Sequence, residues 1–283
     1  MLDWTARHLA ERDSEFPRLD AEVLLAHALE CRRIDLYTRY EEPAPDAGRS
    51  RFRDLVRQRL EGCPVAYLVG RKEFFSLQFE VSPAVLIPRP ESEFVVLECL
   101  RLAKTMVEPR ILDVGTGSGN IAVAMAYQHR GARVVATDIS TDALALAGKN
   151  ASRHGVSGRI EFKRGDLFDS FDASDRFDFI LSNPPYIARE DLDKLPVGVR
   201  QYEPRAALDG GPGGYVVFEK LVTSAKSFLV DGGYLIVEIG SPQETEARAR
   251  ISVAGYELGD TIRDGSRHPR VLSARWKGNE ARR

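Results

Sequence analysis

In Arg110-Ile111-Leu112-Asp113-Val114-Gly115-Thr116-Gly117-Ser118-Gly119 a short apolar run gives way to three glycines at alternate positions. An apolar run of this length bounded by glycine reads as a buried strand. The glycines permit a tight turn and let the backbone approach a ligand that a Cβ would exclude. Helical spacing follows through Ala126, so the stretch is predicted to be a strand, a turn and a helix.

The same alternation continues downstream. Residues 133–138, 160–163, 177–182 and 233–239 read as strands, and residues 141–150 and 218–229 as helices, with Asp142 in the first turn of the former. Strands and helices in turn predict a mostly parallel sheet covered on both faces. Upstream the pattern differs. Leu19, Val23, Leu24, Ala28 and Leu29, then Phe52, Leu55, Val56 and Leu60, fall near helical spacing, with Glu42 to Gly48 as a proline-interrupted connector. Phe75-Ser76-Leu77-Gln78-Phe79-Glu80-Val81 alternates apolar and polar residues as a half-buried strand does, and Val85-Leu86-Ile87 reads as its partner before Pro88-Arg89-Pro90. The expected organisation is an α/β protein: a small helical bundle in residues 1–72, a β-hairpin linker in 73–90 and an α/β domain in 91–283. Arg275, Lys277, Arg282 and Arg283 read as a solvated tail.

Composition narrows the classes. The chain has 283 residues, 43% hydrophobic and 29% charged, which suits a soluble two-domain protein rather than a disordered or collagen-like one. Its longest apolar run, Ile121 to Tyr127, is far short of the ~20 residues that cross a bilayer. The first seven residues lack the layout of a signal peptide. Three dispersed cysteines favour a reducing, cytoplasmic setting over a disulfide framework. A net charge of −2 argues against a stable grip on nucleic acid. One local exception is the run Arg49, Arg51, Arg53, Arg57 and Arg59, which reads either as a solvated helix face or as a docking surface for an acidic protein.

Asp138 closes the strand after the glycine turn, where a carboxylate can accept from both hydroxyls of a ribose. Glycine turn and acid together predict a nucleoside-type ligand held by Gly115, Thr116, Gly117, Ser118, Gly119 and Asp138. No G-x-x-x-x-G-K-[ST] motif is present, and five scattered histidines supply no metal-ligand set. The turn with Asp113 before it resembles motif I of the Rossmann-like, S-adenosylmethionine-dependent methyltransferases. That resemblance implies a seven-stranded sheet and an adenine site at Asp166 and Leu167; the plainer reading makes Asp166 a turn cap and Leu167 core.

Ser182-Asn183-Pro184-Pro185-Tyr186 ends a strand of this sheet, where ligands bind in open α/β folds. Two prolines fix the backbone and remove two N–H donors, so the Pro184 carbonyl and the Asn183 side-chain oxygen are free to accept. Two close acceptors suit an NH₂ group, and Tyr186 offers an aromatic wall for a planar one. The acceptor is then a side-chain amide or the exocyclic amine of a base.

Gly62-Cys63-Pro64-Val65-Ala66-Tyr67-Leu68-Val69-Gly70, Phe74-Phe75, Val85-Leu86-Ile87-Pro88-Arg89-Pro90-Glu91, the glycine turn, Asn183 to Tyr186, and Tyr202-Glu203-Pro204 with Ala207-Leu208 and Gly210-Gly211 span most of the chain. In these the chain resembles the PrmC (HemK) family of release-factor glutamine N5-methyltransferases. The resemblance implies methyl transfer from S-adenosylmethionine to the Gly-Gly-Gln glutamine of class 1 release factors. It assigns Asn183, Pro184 and Tyr186 to catalysis, Asn183 to Tyr186 including Pro185 to the substrate, and Asn183 also to the cofactor edge. It further implies a helical N-terminal domain that helps hold the protein substrate, and we expect a monomer. Ser92 and Gly213 depart from the family's usual threonine and aspartate. A sister family acting on a ribosomal protein and the amino-methyltransferases of nucleic-acid bases share the tetrapeptide, and a non-catalytic cofactor-binding adaptor is the alternative of another class.

Overall fold

The computed structural model describes residues 1–12 and 14–278, so Arg282 and Arg283 lie outside it. In chain order its helices are α1 (Leu2–Ala10), α2 (Pro17–Ala28), α3 (Asp35–Thr38), α4 (Asp46–Leu60), α5 (Val65–Val69), α6 (Glu93–Ala103), α7 (Asn120–Gln128), α8 (Thr141–Arg153), α9 (Val197–Tyr202), α10 (Val216–Ala225) and α11 (Glu244–Val253). Its strands are β1 (Arg71–Phe74), β2 (Leu77–Glu80), β3 (Arg110–Val114), β4 (Arg133–Asp138), β5 (Ile160–Arg164), β6 (Phe177–Ser182), β7 (Leu229–Glu238), β8 (Glu257–Leu258), β9 (Ile262–Arg263) and β10 (Pro269–Arg275). They form two compact units. One comprises Met1–Arg71 with Pro196–Tyr202; the other comprises Lys72–Leu195 and the chain from Glu203 on.

The first unit is helical. Leu24 and Ala28 of α2 pack with Phe52 and Val56 of α4, as the helical spacing expects; Leu25 joins them, and Leu19 is exposed instead. Helix α4 begins at Asp46, inside the expected connector, because Pro45 takes the extended backbone suited to a helix start. The arginine run on α4 is largely paired: Arg49 with Asp46, Arg51 with Glu30, Arg57 with Asp54 and Arg59 with Asp20.

The second unit is built on an eight-stranded sheet in the order β5-β4-β3-β6-β7-β10-β8, with β9 also on β10. Strands β3 to β7 pair in parallel and β10 runs antiparallel to β7. The edge position after β10 is shared by two fragments, β8 and β9, which accounts for eight strands where seven were expected. Chain order reverses direction at β3 and β6, so their carboxyl ends open the crevice in which such folds bind ligands. Apolar layers cover both faces: Val95, Val96, Cys99, Ala122 and Val123 on one side, and Phe218, Leu221, Val222 and Ile251 on the other.

Four local readings need correction. The hairpin pairs Arg71–Phe74 with Leu77–Glu80, and Phe75 and Ser76 form its turn at φ +52° and +59°. The Phe75 N–H donates to Glu93 Oε1 (2.8 Å), which anchors a turn without glycine. Val85-Leu86-Ile87 is not a strand; Val85 and Ile87 are buried, and the Ile87 N–H donates to Glu203 Oε2 (3.3 Å) in place of a ladder. Strand β7 opens at Leu229, which the spacing had assigned to the preceding helix, and Arg275 belongs to β10 rather than to a tail.

Candidate active site

The carboxyl ends of β3, β4 and β6 surround a cavity of about 240 Å³. Gly115, Thr116, Gly117, Ser118, Asp138, Asp166, Leu167, Asn183 and Pro185 all line it, joined by Leu86, Pro88, Arg89 and Ser92. Residues proposed on four separate segments are therefore gathered at one place.

Gly115 and Gly117 adopt left-handed backbone, at φ +74° and +55°, and a Cβ on either would meet no protein atom within 4 Å. It would project into the cavity, so the turn is a cradle that side chains would fill. Gly119 differs. It caps α7 at φ +79°, and a Cβ there would lie 3.0 Å from Ala147 Cβ, so its bareness serves the packing of α7 on α8. The turn is held from beneath by two buried groups. Asp113 Oδ2 accepts from Thr116 Oγ1 (2.6 Å) and from the Ala122 N–H (3.1 Å). Burial pushes the Asp113 carboxyl up to about 7, against the pull of those two donors. Asn150 of α8 donates from Nδ2 to the Ser118 carbonyl (2.9 Å) and the Glu80 carbonyl (3.0 Å), and its Oδ1 accepts from the Glu80 N–H (2.8 Å).

Asp138 stands at the tip of β4. Its Oδ2 accepts from the Gly117 N–H (2.9 Å) and its Oδ1 from the Ser140 N–H (2.9 Å). A carboxylate has about four acceptor positions, so lone pairs remain for a ribose diol. Leu167, at φ +51°, lines the cavity beside the exposed carboxylate of Asp166. A carboxylate for hydroxyls, an apolar face for a ring and a second carboxylate for an exocyclic amine fit S-adenosylmethionine.

Asn183 follows β6 directly and is braced from two other elements. Its Nδ2 donates to Ser92 Oγ (3.0 Å), and Ser92 Oγ donates to Glu238 Oε2 (2.5 Å) at the end of β7. Ser92 and Glu238 are both buried, and burial pushes the Glu238 carboxyl up to about 7. Pro184 is buried and Tyr186 half-buried, and neither lines the cavity. The Tyr186 carbonyl accepts from Gln243 Nε2 (3.0 Å), and burial first, then the Glu238 charge, pushes its phenol up to about 12. The Arg89 guanidinium pairs with the buried Glu203 carboxylate, which fixes the segment that brings Pro88 and Arg89 to the cavity wall.

Sequence reasoning missed the roles of Asn150, Ser92, Glu203 and Glu238. Glu238 left a signal, since a carboxylate within Leu235-Ile236-Val237-Glu238-Ile239 has no place in a buried strand without a partner. Among the described residues no cluster of His, Cys, Asp and Glu could hold a metal ion, and no helix is long and apolar enough to cross a membrane.

Two family descriptions match the chain, the PrmC N-terminal domain over residues 1–70 and the methyltransferase small domain over residues 93–197. A protein of Rhodopirellula baltica named release factor glutamine methyltransferase is 43% identical, covering 96% of this chain and 94% of its own length. One of the same name from Geobacter sulfurreducens is 42% identical over 97% and 95%. Among solved structures, the hMettl16 catalytic domain in complex with the MAT2A 3'UTR hairpin 6 covers 80% of this chain and 83% of its own, with a TM-score of 0.58 at 18% identity. A methyltransferase from Pyrococcus furiosus covers 74% and 92%, with a TM-score of 0.51 at 20% identity. The two structures share the fold, and the close relatives extend over both units: the chain belongs to the release factor glutamine methyltransferase family.

Proposed function

We propose that the protein transfers a methyl group from S-adenosylmethionine to the side-chain amide nitrogen (N5) of the glutamine in the Gly-Gly-Gln motif of class 1 peptide-chain release factors. The observation that carries the reading is Asn183 on the wall of the cavity that Gly115, Gly117 and Asp138 line, its NH₂ engaged by Ser92 and its oxygen left to accept.

Gly115 to Ser118, Asp138, Asp166 and Leu167 hold the cofactor. Bound there, S-adenosylmethionine supplies a methyl group already activated on a sulfonium. The residues around it present the nitrogen. An amide nitrogen is a poor nucleophile because its lone pair is delocalised into the carbonyl. Asn183 Oδ1 and the Pro184 carbonyl each accept one of its hydrogens, which orients the group and favours pyramidalisation. Tyr186 flanks the planar amide and stays neutral, since its phenol titrates near 12. No base is required before attack, because the nitrogen loses its proton as positive charge develops on it. Positioning supplies most of the acceleration.

The helical unit, residues 1–72, docks the body of the release factor; residues 73–90 and 91–283 form the linker and catalytic parts. The enzyme works as a monomer in the cytoplasm, on protein rather than nucleic acid, a choice that the net charge of −2 supports. The test is transfer of labelled methyl to a purified unmodified release factor, beside its Gly-Gly-Gln glutamine→alanine variant. Label on the wild type alone is expected. Label on neither, with transfer to ribosomal protein or nucleic acid instead, overturns the substrate and keeps the cofactor.

A further inference from the structure

An asparagine amide offers a ligand either an acceptor or a donor, depending on which way it is flipped. Presented to the NH₂ of a glutamine, the oxygen binds and the Asn183 NH₂ repels. Something must therefore choose the flip, and the ends of β6 and β7 and the start of α6 meet where that choice is made. Ser92 has a single hydroxyl hydrogen, directed to Glu238 at 2.5 Å, so only a lone pair remains for Asn183 at 3.0 Å. That lone pair accepts Nδ2–H and disfavours Oδ1.

We propose that Ser92 and Glu238 are positioning residues, the ionised Glu238 carboxylate setting the Asn183 flip through the Ser92 hydroxyl so that Oδ1 faces the substrate amide. This rests on the glutamine-acceptor reading above. The polarity reverses when Glu238 is protonated. Its O–H then donates to Ser92, the Ser92 hydrogen turns to Asn183, and Oδ1 is drawn away from the substrate. The charged and titratable groups facing Glu238 are Glu91, Arg270, Arg89 and Tyr186. Burial first, then Glu91, opposes the carboxylate and places its titration near 7, against the Ser92 hydrogen bond, Arg270 and Arg89, which favour it. Transfer therefore has an acid limb near neutrality that belongs to Glu238, although the glutamine itself does not titrate.

The experiment measures kcat for methylation of a release factor at saturating cofactor from pH 5.5 to 9, with cofactor affinity by calorimetry alongside. Wild type is expected to lose rate below about pH 7. Ser92→Ala lowers kcat by about 10- to 100-fold, as misorientation of a reacting group does, keeps cofactor affinity within about threefold, and flattens the acid limb. Ser92→Thr keeps the hydroxyl and restores both rate and limb. Glu238→Gln flattens the limb as well. A Ser92→Ala enzyme with wild-type kcat, or with the acid limb intact, overturns the proposal. Should Glu238→Gln fail to fold, the Ala and Thr variants at Ser92 decide alone. A wild type that methylates no release factor at any pH refutes the substrate reading instead, a distinct result.

Discussion

The Gly117 N–H donates to Asp138 Oδ2 at 2.9 Å, so the glycine turn after β3 is tied to the tip of β4 by the same carboxylate proposed to hold the ribose. One side chain thus shapes the cradle and supplies its acceptors. Asp138→Ala should remove both, raising the cofactor dissociation constant by roughly 10- to 100-fold, the equivalent of the 1.5–3 kcal/mol typical of hydrogen bonds to a charged group. Calorimetric titration with S-adenosylmethionine checks this. Affinity within threefold of wild type would remove Asp138 from the site.

Asn183→Ala should do the opposite. The residue lines the same cavity as the turn, but its side-chain bond runs to Ser92 rather than to the turn or to Asp138. The expected loss is about 10²- to 10³-fold in kcat, the range for deleting one preorganised polar group, with cofactor affinity nearly intact. Equal loss of affinity in the Asn183 and Asp138 variants would end this division of labour.

How much of this was legible beforehand depends on sequence distance. The turn, Asp138 and Asn183 declare themselves because each sits where a strand pattern stops. The turn at Phe75 and Ser76 stayed hidden because apolar-polar alternation ran straight through it, and what fixes it is a bond to Glu93, eighteen positions on. Val85 and Ile87 have strand-like side chains, but the Val85 N–H turns back to the Ser82 carbonyl and the Ile87 N–H finds a carboxylate 116 positions away. The Ser92–Glu238 bond spans 146 positions and involves one residue that looks like any helix-start serine. Local period reveals elements; it cannot reveal which buried polar groups satisfy one another.

The glycines of the turn should separate by assay. Gly119→Ala sets a Cβ 3.0 Å from Ala147 Cβ and 3.2 Å from its Cα at a left-handed backbone, and should cost about 1–3 kcal/mol of stability through strain and overpacking. Gly117→Ala meets no protein atom and bears only the backbone cost of about 1–2 kcal/mol, but projects into the cavity, so cofactor affinity should fall more than stability. Thermal melts paired with titrations test both, and an equal loss of cofactor affinity in the two would contradict the assignment.

Asn150→Ala should be among the most damaging substitutions that touch no ligand. It strands the buried Ser118 carbonyl, at a cost of about 1–3 kcal/mol, and takes a partner from both half-buried backbone groups of Glu80. A fall in melting temperature of roughly 5–10 °C is expected for a unit of this size, together with weaker cofactor binding, because Ser118 belongs to the turn. A melting temperature within a degree of wild type would show that the hairpin and turn do not depend on this residue.

Stability against pH should carry the mark of the two buried carboxyls. Asp113 is raised from 3.8 and Glu238 from 4.5, both to about 7, first by loss of solvation. A raised carboxyl makes the folded state bind more protons than the unfolded one, so ΔG of unfolding falls as pH rises. Its contribution is full below about pH 4 and is lost as pH climbs through 7. His27, whose pKa is lowered chiefly by burial, titrates in the opposite sense nearby, so the informative quantity is a difference. Melting temperatures of Asp113→Asn and Glu238→Gln, each minus wild type, should rise steadily between pH 5 and 7.5 and level off above. Differences independent of pH would mean that neither carboxyl is held protonated by the fold. For Glu238 the consequence is direct: the charge that orients Asn183 for transfer is one that burial opposes, so activity and stability should move in opposite directions as pH crosses 7.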